Sequence, residues 1–93
     1  MEPNKVNPQN FQVLKLIYNN IDFSIAYGIW QDDQTYIAMR WNGEKNEIGY
    51  PNAFGNPTWF LVDINLKVIF LKSLLELPNV DKKEILKIIE KEL

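Results

Sequence analysis

Four carboxylates, Asp32, Asp33, Glu44 and Glu47, are the side chains whose type could run acid–base or metal chemistry. A hydrolase needs two opposed carboxyl groups, one of them raised in pKa by burial. A magnesium site needs carboxylate and amide oxygens converging on one point. Neither spacing is present. Asp32-Asp33 fall in a polar turn and Glu44 and Glu47 in a long loop, where acids are ordinarily solvated. Ser24 lies in a strand pattern and Ser73 in a helix pattern, and neither stands in a nucleophile elbow. The chain contains no histidine and no cysteine. That removes the usual general base near neutral pH, thiolate chemistry and the commonest metal ligands. The expectation is a protein with no catalytic residues, no metal and no cofactor, and so not an enzyme.

Recognition is the other chemistry on offer. The stretch Trp41-Asn42-Gly43 to Asn56-Pro57-Thr58-Trp59 sets four rings, Trp41, Tyr50, Phe54 and Trp59, among several asparagines. Rings give contact area at low entropic cost, and amides give donors and acceptors. Tyr50, Asn52, Phe54 and Asn56 are the expected partner contacts, with Trp41 and Trp59 anchoring the two ends of the loop. On that reading replacement of either tryptophan unfolds the domain. The alternative is a small-ligand or single-stranded nucleic-acid module on the polar face of the sheet, built from Ser24, Arg40, Tyr27 and Tyr36. Small residues there, Ala26 and Gly28, leave room for something to approach. A formal charge of −2 and a single arginine give no field for a phosphate backbone, so nucleic acid is a weak expectation. Lys83, Lys87 and Lys91 share a helical face, but Glu84 and Glu90 flank them, which reads as a solvated surface.

Elements that position these residues can be traced from period and punctuation. Residues 1–10 carry Pro3 and Pro8 and nothing that could fill a core, and are expected as a flexible tail. Residues 11–18 are apolar and rich in strand formers. Asn19-Asn20 then suits a tight turn. From residue 21 the alternation is strict: Ile21, Phe23, Ile25, Tyr27 and Ile29 on one face, with Asp22, Ser24, Ala26 and Gly28 on the other. That second face meets water or something small that packs closely. Residues 35–41 repeat the pattern, with Ile37, Met39 and Trp41 opposite Tyr36, Ala38 and Arg40. Residues 43–57 hold no period but three glycines and two prolines, a long loop of the kind that carries function. Residues 58–62 read as a fourth strand.

Two helices follow. Asp63 or Asn65 caps the first, over Leu66 to Leu77, which is apolar nearly all round and therefore expected to be covered on more than one side. Asp81 and Glu84 have capping-box spacing for the second. Ninety-three residues, 46% apolar and 24% charged, make one domain, over 11–93. Strands first and helices after predict an α+β fold: a four-stranded antiparallel, meander-like sheet with two C-terminal helices packed on one face. No apolar run approaches the length needed to cross a membrane, and the polar start has no leader pattern. A cytoplasmic location is expected.

The run from Ile17 to Gly43, followed by Gly49-Tyr50-Pro51 and Gly55-Asn56-Pro57-Thr58-Trp59-Phe60, resembles small bacterial proteins with an Arg-Trp-Asn-Gly, Gly-Tyr-Pro, Gly-x-Pro-x-Trp-Phe order. The likeness covers residues 17–77 at most and carries no established activity. It marks the loop as a unit. With the size and acidity of the chain, it points to a small protein-binding domain of the inhibitor, immunity or accessory type. Its partner would be another protein, and a homodimer through an open sheet edge or a helix face fits the same pattern.

Overall fold

A computed structural model describes residues 1–93. Its strands are β1 (Phe11–Asn19), β2 (Phe23–Trp30), β3 (Thr35–Trp41), β4 (Asn52–Ala53), β5 (Asn56–Pro57) and β6 (Phe60–Leu61). The helices are α1 (Lys67–Leu74) and α2 (Lys82–Glu92). The main sheet is antiparallel in the order β1-β2-β3-β6, and β4 pairs with β5 in a separate hairpin. The fold is α+β, with both helices on one face of the sheet.

Alternation in β2 and β3 sorts the side chains cleanly. Phe23 pairs with Trp41, Ile25 with Met39 and Tyr27 with Ile37 on the helix-covered face. Ser24 pairs with Arg40, Ala26 with Ala38 and Gly28 with Tyr36 on the other. The first turn differs from the strict pattern by two residues. Asn19 Oδ1 accepts from the Ile21 N–H at 3.0 Å, and Asn20 Oδ1 accepts from the N–H groups of Asp22 and Phe23. These bonds pull residues 20–22 out of the ladder. Ile21, expected on the core face, is instead exposed with φ +82°, a costly setting for a β-branched residue.

β1 has no alternation because it bulges twice, between Val13 and Lys15 and between Leu16 and Tyr18. Each bulge adds a residue and re-aims the side chains that follow. Phe11, Val13 and Leu16 therefore reach one face, and Ile17 and Tyr18 the helix-covered one. The bulges interrupt the register of this edge strand against β2, and β6 at the other edge is two residues long.

The helices close the larger core. Leu71 and Leu74 of α1 and Ile85, Ile88 and Ile89 of α2 bury against Ile17, Ile25, Tyr27, Ile37 and Val62. Asp63 accepts from the Asn65 N–H at 2.8 Å at the head of the single turn Ile64–Leu66. Asp81 accepts from the Glu84 N–H at the head of α2. α1 is shorter than its apolar run: residues 75–77 close with tighter turns before Pro78. It is covered on one side only, and Leu66 and Ile69 are exposed.

A second core lies on the opposite face, and it corrects the expected loose tail. Pro3–Lys5 form a single helical turn, Val6 is completely buried, and the Trp59 Nε1–H donates to the Val6 carbonyl at 2.8 Å. Val6 packs with Phe11, Ala26, Ala38 and Trp59. The small residues of β2 and β3 make a shallow floor on which these larger groups rest. A Cβ at Gly28 would meet the Gln12 carbonyl and come within 2.6 Å of the Phe11 ring. What approaches the small-residue face is thus the chain's own N-terminal segment.

Candidate functional site

Tyr50 and Trp41 exchange both backbone hydrogen bonds, at 2.7 and 2.9 Å, while Phe60 lies opposite Met39 and Leu61 opposite Ala38. The chain from Tyr50 to Leu61 therefore lines β3 in two pieces, interrupted by residues 51–59, which leave the sheet at the level of Arg40. β4, a two-residue turn and β5 form the outer part of this excursion. The turn residues Phe54 and Gly55 both have left-handed φ, +53° and +80°, as a tight primed hairpin turn requires.

Arg40 holds the base of the excursion. Its side chain is buried, and Nη1–H donates to the Thr58 carbonyl at 2.6 Å. Nη2–H donates to the Ile48 carbonyl. No carboxylate pairs with it, and Nε–H has no partner. Burial pushes the guanidinium below its usual pKa. Gly49 makes the approach possible: its φ is +72°, and a Cβ there would meet the Trp41 carbonyl and lie 2.7 Å from Arg40 Nη2.

This geometry divides the expected contact residues. Trp59 is 7% exposed and belongs to the second core. Trp41, expected as the matching buried anchor, is 57% exposed and, unlike its neighbours Phe23 and Met39, does not pack against the helix-side core. Cross-strand pairing puts Tyr50 (65% exposed) beside it, and Phe60 (58% exposed) one row further along the same face. Phe23 packs edge-on to the Trp41 ring with centroids 4.6 Å apart. The result is a patch of rings, Tyr50, Trp41, Phe23 and Phe60, with Met39 between them. Phe60 was not among the expected contacts. Its signal was available in the alternation with buried Trp59, which sends the two neighbours to opposite faces. Asn52, Phe54 and Asn56 are exposed too, but they sit on the excursion, on the side of the N-terminal segment.

The alternative surface does not assemble. Ser24 is buried and accepts from Asn42 Nδ2 at 2.8 Å, and the same amide donates to the Ile21 carbonyl. Arg40 is buried on that face as described. Tyr27 is on the other face, under α2. Tyr36 is half-buried and donates to Asp32 Oδ2 at 2.6 Å, a bond that raises its own pKa and lowers that of Asp32.

Sequence reading also missed a polar cluster beneath the helices. Tyr27 Oη–H and Thr35 Oγ1–H both donate to Glu92 Oε2, and Lys67 Nζ lies 3.0 Å from Glu92 Oε1. Lys67 also donates to the Thr35 carbonyl at 3.0 Å. Burial acts to raise the Glu92 carboxyl, but the bonds from Thr35, Tyr27 and Lys67 and the lysine charge outweigh it, leaving its pKa low. Burial, then the bond to Glu92, pushes Tyr27 up to about 12. The low carboxyl stabilises the fold above the unfolded carboxylate pKa of about 4.3. That contribution is lost as pH falls through the native value. The raised phenol stabilises below about pH 10 and loses its contribution as pH rises towards 12. Thermal unfolding across pH is expected to show losses at both ends, with Glu92→Gln flattening the acid limb and Tyr27→Phe the alkaline one.

No group of three or more acidic, histidine or cysteine side chains converges as a metal site would require, and no helix is long and apolar enough to cross a membrane. Compared with protein-family models, curated proteins and solved structures, the chain matches none. Function must come from the geometry itself.

Proposed function

We propose that this protein is a small non-enzymatic binding domain that docks another protein through the ring patch of Trp41, Tyr50 and Phe60. The carrying observation is that three large rings, each more than half exposed, project from neighbouring rows of one sheet face. Single exposed apolar residues are ordinary; several exposed rings on one face of a small domain mark a contact surface. Cross-strand pairing holds these rings in place before any partner arrives, so little ordering entropy is lost on binding. Aromatic residues are also the side chains that dominate interface energetics. The size and acidity of the chain suit a bacterial inhibitor, immunity or accessory protein acting in the cytoplasm.

A photo-crosslinking residue at position 60, introduced in host cells, tests this. The expected result is one discrete crosslinked species whose yield falls roughly thirtyfold in the Trp41→Ala, Tyr50→Ala variant, as for a loss of about 2 kcal/mol at a hot spot. The same variant should unfold within a few degrees of the parent. The same crosslink from a control position at Lys83 would sink the reading, as would collapse of the fold in Trp41→Ala. A crosslinked species of twice the chain mass would identify the partner as a second copy.

A further inference from the structure

The hairpin of β4 and β5 forms a groove with residues 7–10, away from the ring patch. Its space is about 820 Å³, within the usual range for small-ligand sites, about 300–1,000 Å³. The lining is chemically narrow. Asn7, Gln9, Asn10, Gln31 and Asn56 bring five primary amides to it, and Phe54 brings one ring. Lys5 is the only charged residue on its wall, and Lys5 pairs with Glu2 at 3.6 Å.

We propose that this groove binds an uncharged, hydroxyl-rich ligand, a carbohydrate. Each primary amide offers two donors and an acceptor side by side, which matches the paired donor and acceptor character of vicinal hydroxyls. Gln9, Asn10, Gln31 and Asn56 make no side-chain hydrogen bond within the chain, and Asn7 makes one, at 3.3 Å to the Asn4 carbonyl. An aromatic face supplies the flat apolar platform on which the C–H side of a sugar ring rests. The wall has no cluster of cations for a phosphodiester and no acid for a cation. It has no apolar recess that would take a peptide side chain.

Phe54 is the residue that the fold by itself does not explain. Its ring is wholly exposed, and its backbone sits at φ +53° beside Gly55, with open space at the tip. Asparagine or glycine serves that turn position at lower cost. A bulky residue kept in left-handed conformation without packing in return is the mark of a position held for contact.

The test is a titration of isotopically labelled protein with cellotriose, maltotriose, chitotriose and mannotriose, read at the side-chain amide signals. At least one sugar is expected to shift the amides of Asn7, Gln9, Asn10, Gln31 and Asn56 and to leave those of Asn42 and Asn65 in place. Phe54→Gly removes the ring and relieves the turn. It should weaken binding roughly tenfold, as loss of one aromatic stacking partner does, while the protein unfolds at an equal or higher temperature. No shift from any sugar into the millimolar range overturns the proposal. So does equal affinity in Phe54→Gly, or an equal response of the same amides to triglycine.

Discussion

Trp59→Ala is expected to cost about 3–5 kcal/mol, the range for truncating a large buried aromatic. A domain of this size has about 5–15 kcal/mol to lose, so the variant sits near the edge of folding. Three losses coincide. The indole leaves a hole among Val6, Phe11, Ala26 and Ala38, over a floor too short to rise into it. The Val6 carbonyl, itself buried, loses the Nε1–H that satisfies it, and an unsatisfied buried acceptor costs about 1–3 kcal/mol. The Phe11 ring, 6.4 Å from the indole centroid, loses its tilted partner. Residues 1–10 are held by this contact together with the N-terminal amine, which donates to the Asn42 carbonyl at 2.6 Å, so amides near Val6 should exchange with solvent faster in the variant. Trp41→Ala serves as the comparison. Its ring is more than half exposed, and its loss should cost about 1 kcal/mol, chiefly the packing against Phe23. Urea unfolding of the two variants decides the matter. Equal losses would mean that the two tryptophans are not in the different environments described.

Arg40→Met should lower stability by about 2 kcal/mol, from two partly buried carbonyls left without their donors, at the lower end of about 1–3 kcal/mol each. Methionine fills much of the same volume and removes a charge whose burial is itself expensive. What it cannot do is reach both the Ile48 and the Thr58 carbonyls. Arg40→Lys isolates the geometry from the charge: a single ammonium keeps the desolvation cost but cannot span two acceptors as a planar fork does. It should be at least as damaging as methionine. The local consequence is more telling than the total. With the base of the excursion unpinned, amides of residues 48–58 should lose protection from exchange while Ile85, Ile88 and Ile89 in α2 keep theirs. If Arg40→Met were as stable as the parent, with the excursion still protected, Arg40 would be a passenger on the fold.

Arg40 also links the two proposed surfaces. Arg40 fixes where the chain leaves β3 and where it returns, so it sets Tyr50 beside Trp41 and Phe60 beside Met39. It equally sets the direction in which the hairpin carries Phe54 toward residues 7–10. A change at Arg40 should therefore disturb both sites, whereas Trp41→Ala and Phe54→Gly each touch one. That separation keeps failure of the protein-docking reading distinguishable from failure of the carbohydrate reading.

Local chemistry was legible in the sequence itself. The alternation of residues 23–30 and 35–41 determined two strands and the faces of their side chains. Asn19-Asn20, Asp63 and Asp81 announced turns and caps, because a side-chain oxygen bonding a backbone N–H two or three residues away needs nothing from the rest of the chain. The order of strands and helices determined the class of fold. Only tertiary structure decided which tryptophan is buried. Trp41 and Trp59 both lie in apolar, strand-like surroundings, and the difference between them is what covers each: Val6, distant in sequence, packs on Trp59, while Trp41 belongs to neither core. The same reason hid the second core, the double bulge of β1 and the carbonyl partners of Arg40. Burial and pairing depend on segments that meet only when the chain is folded, and no period within a strand records what will be laid across it.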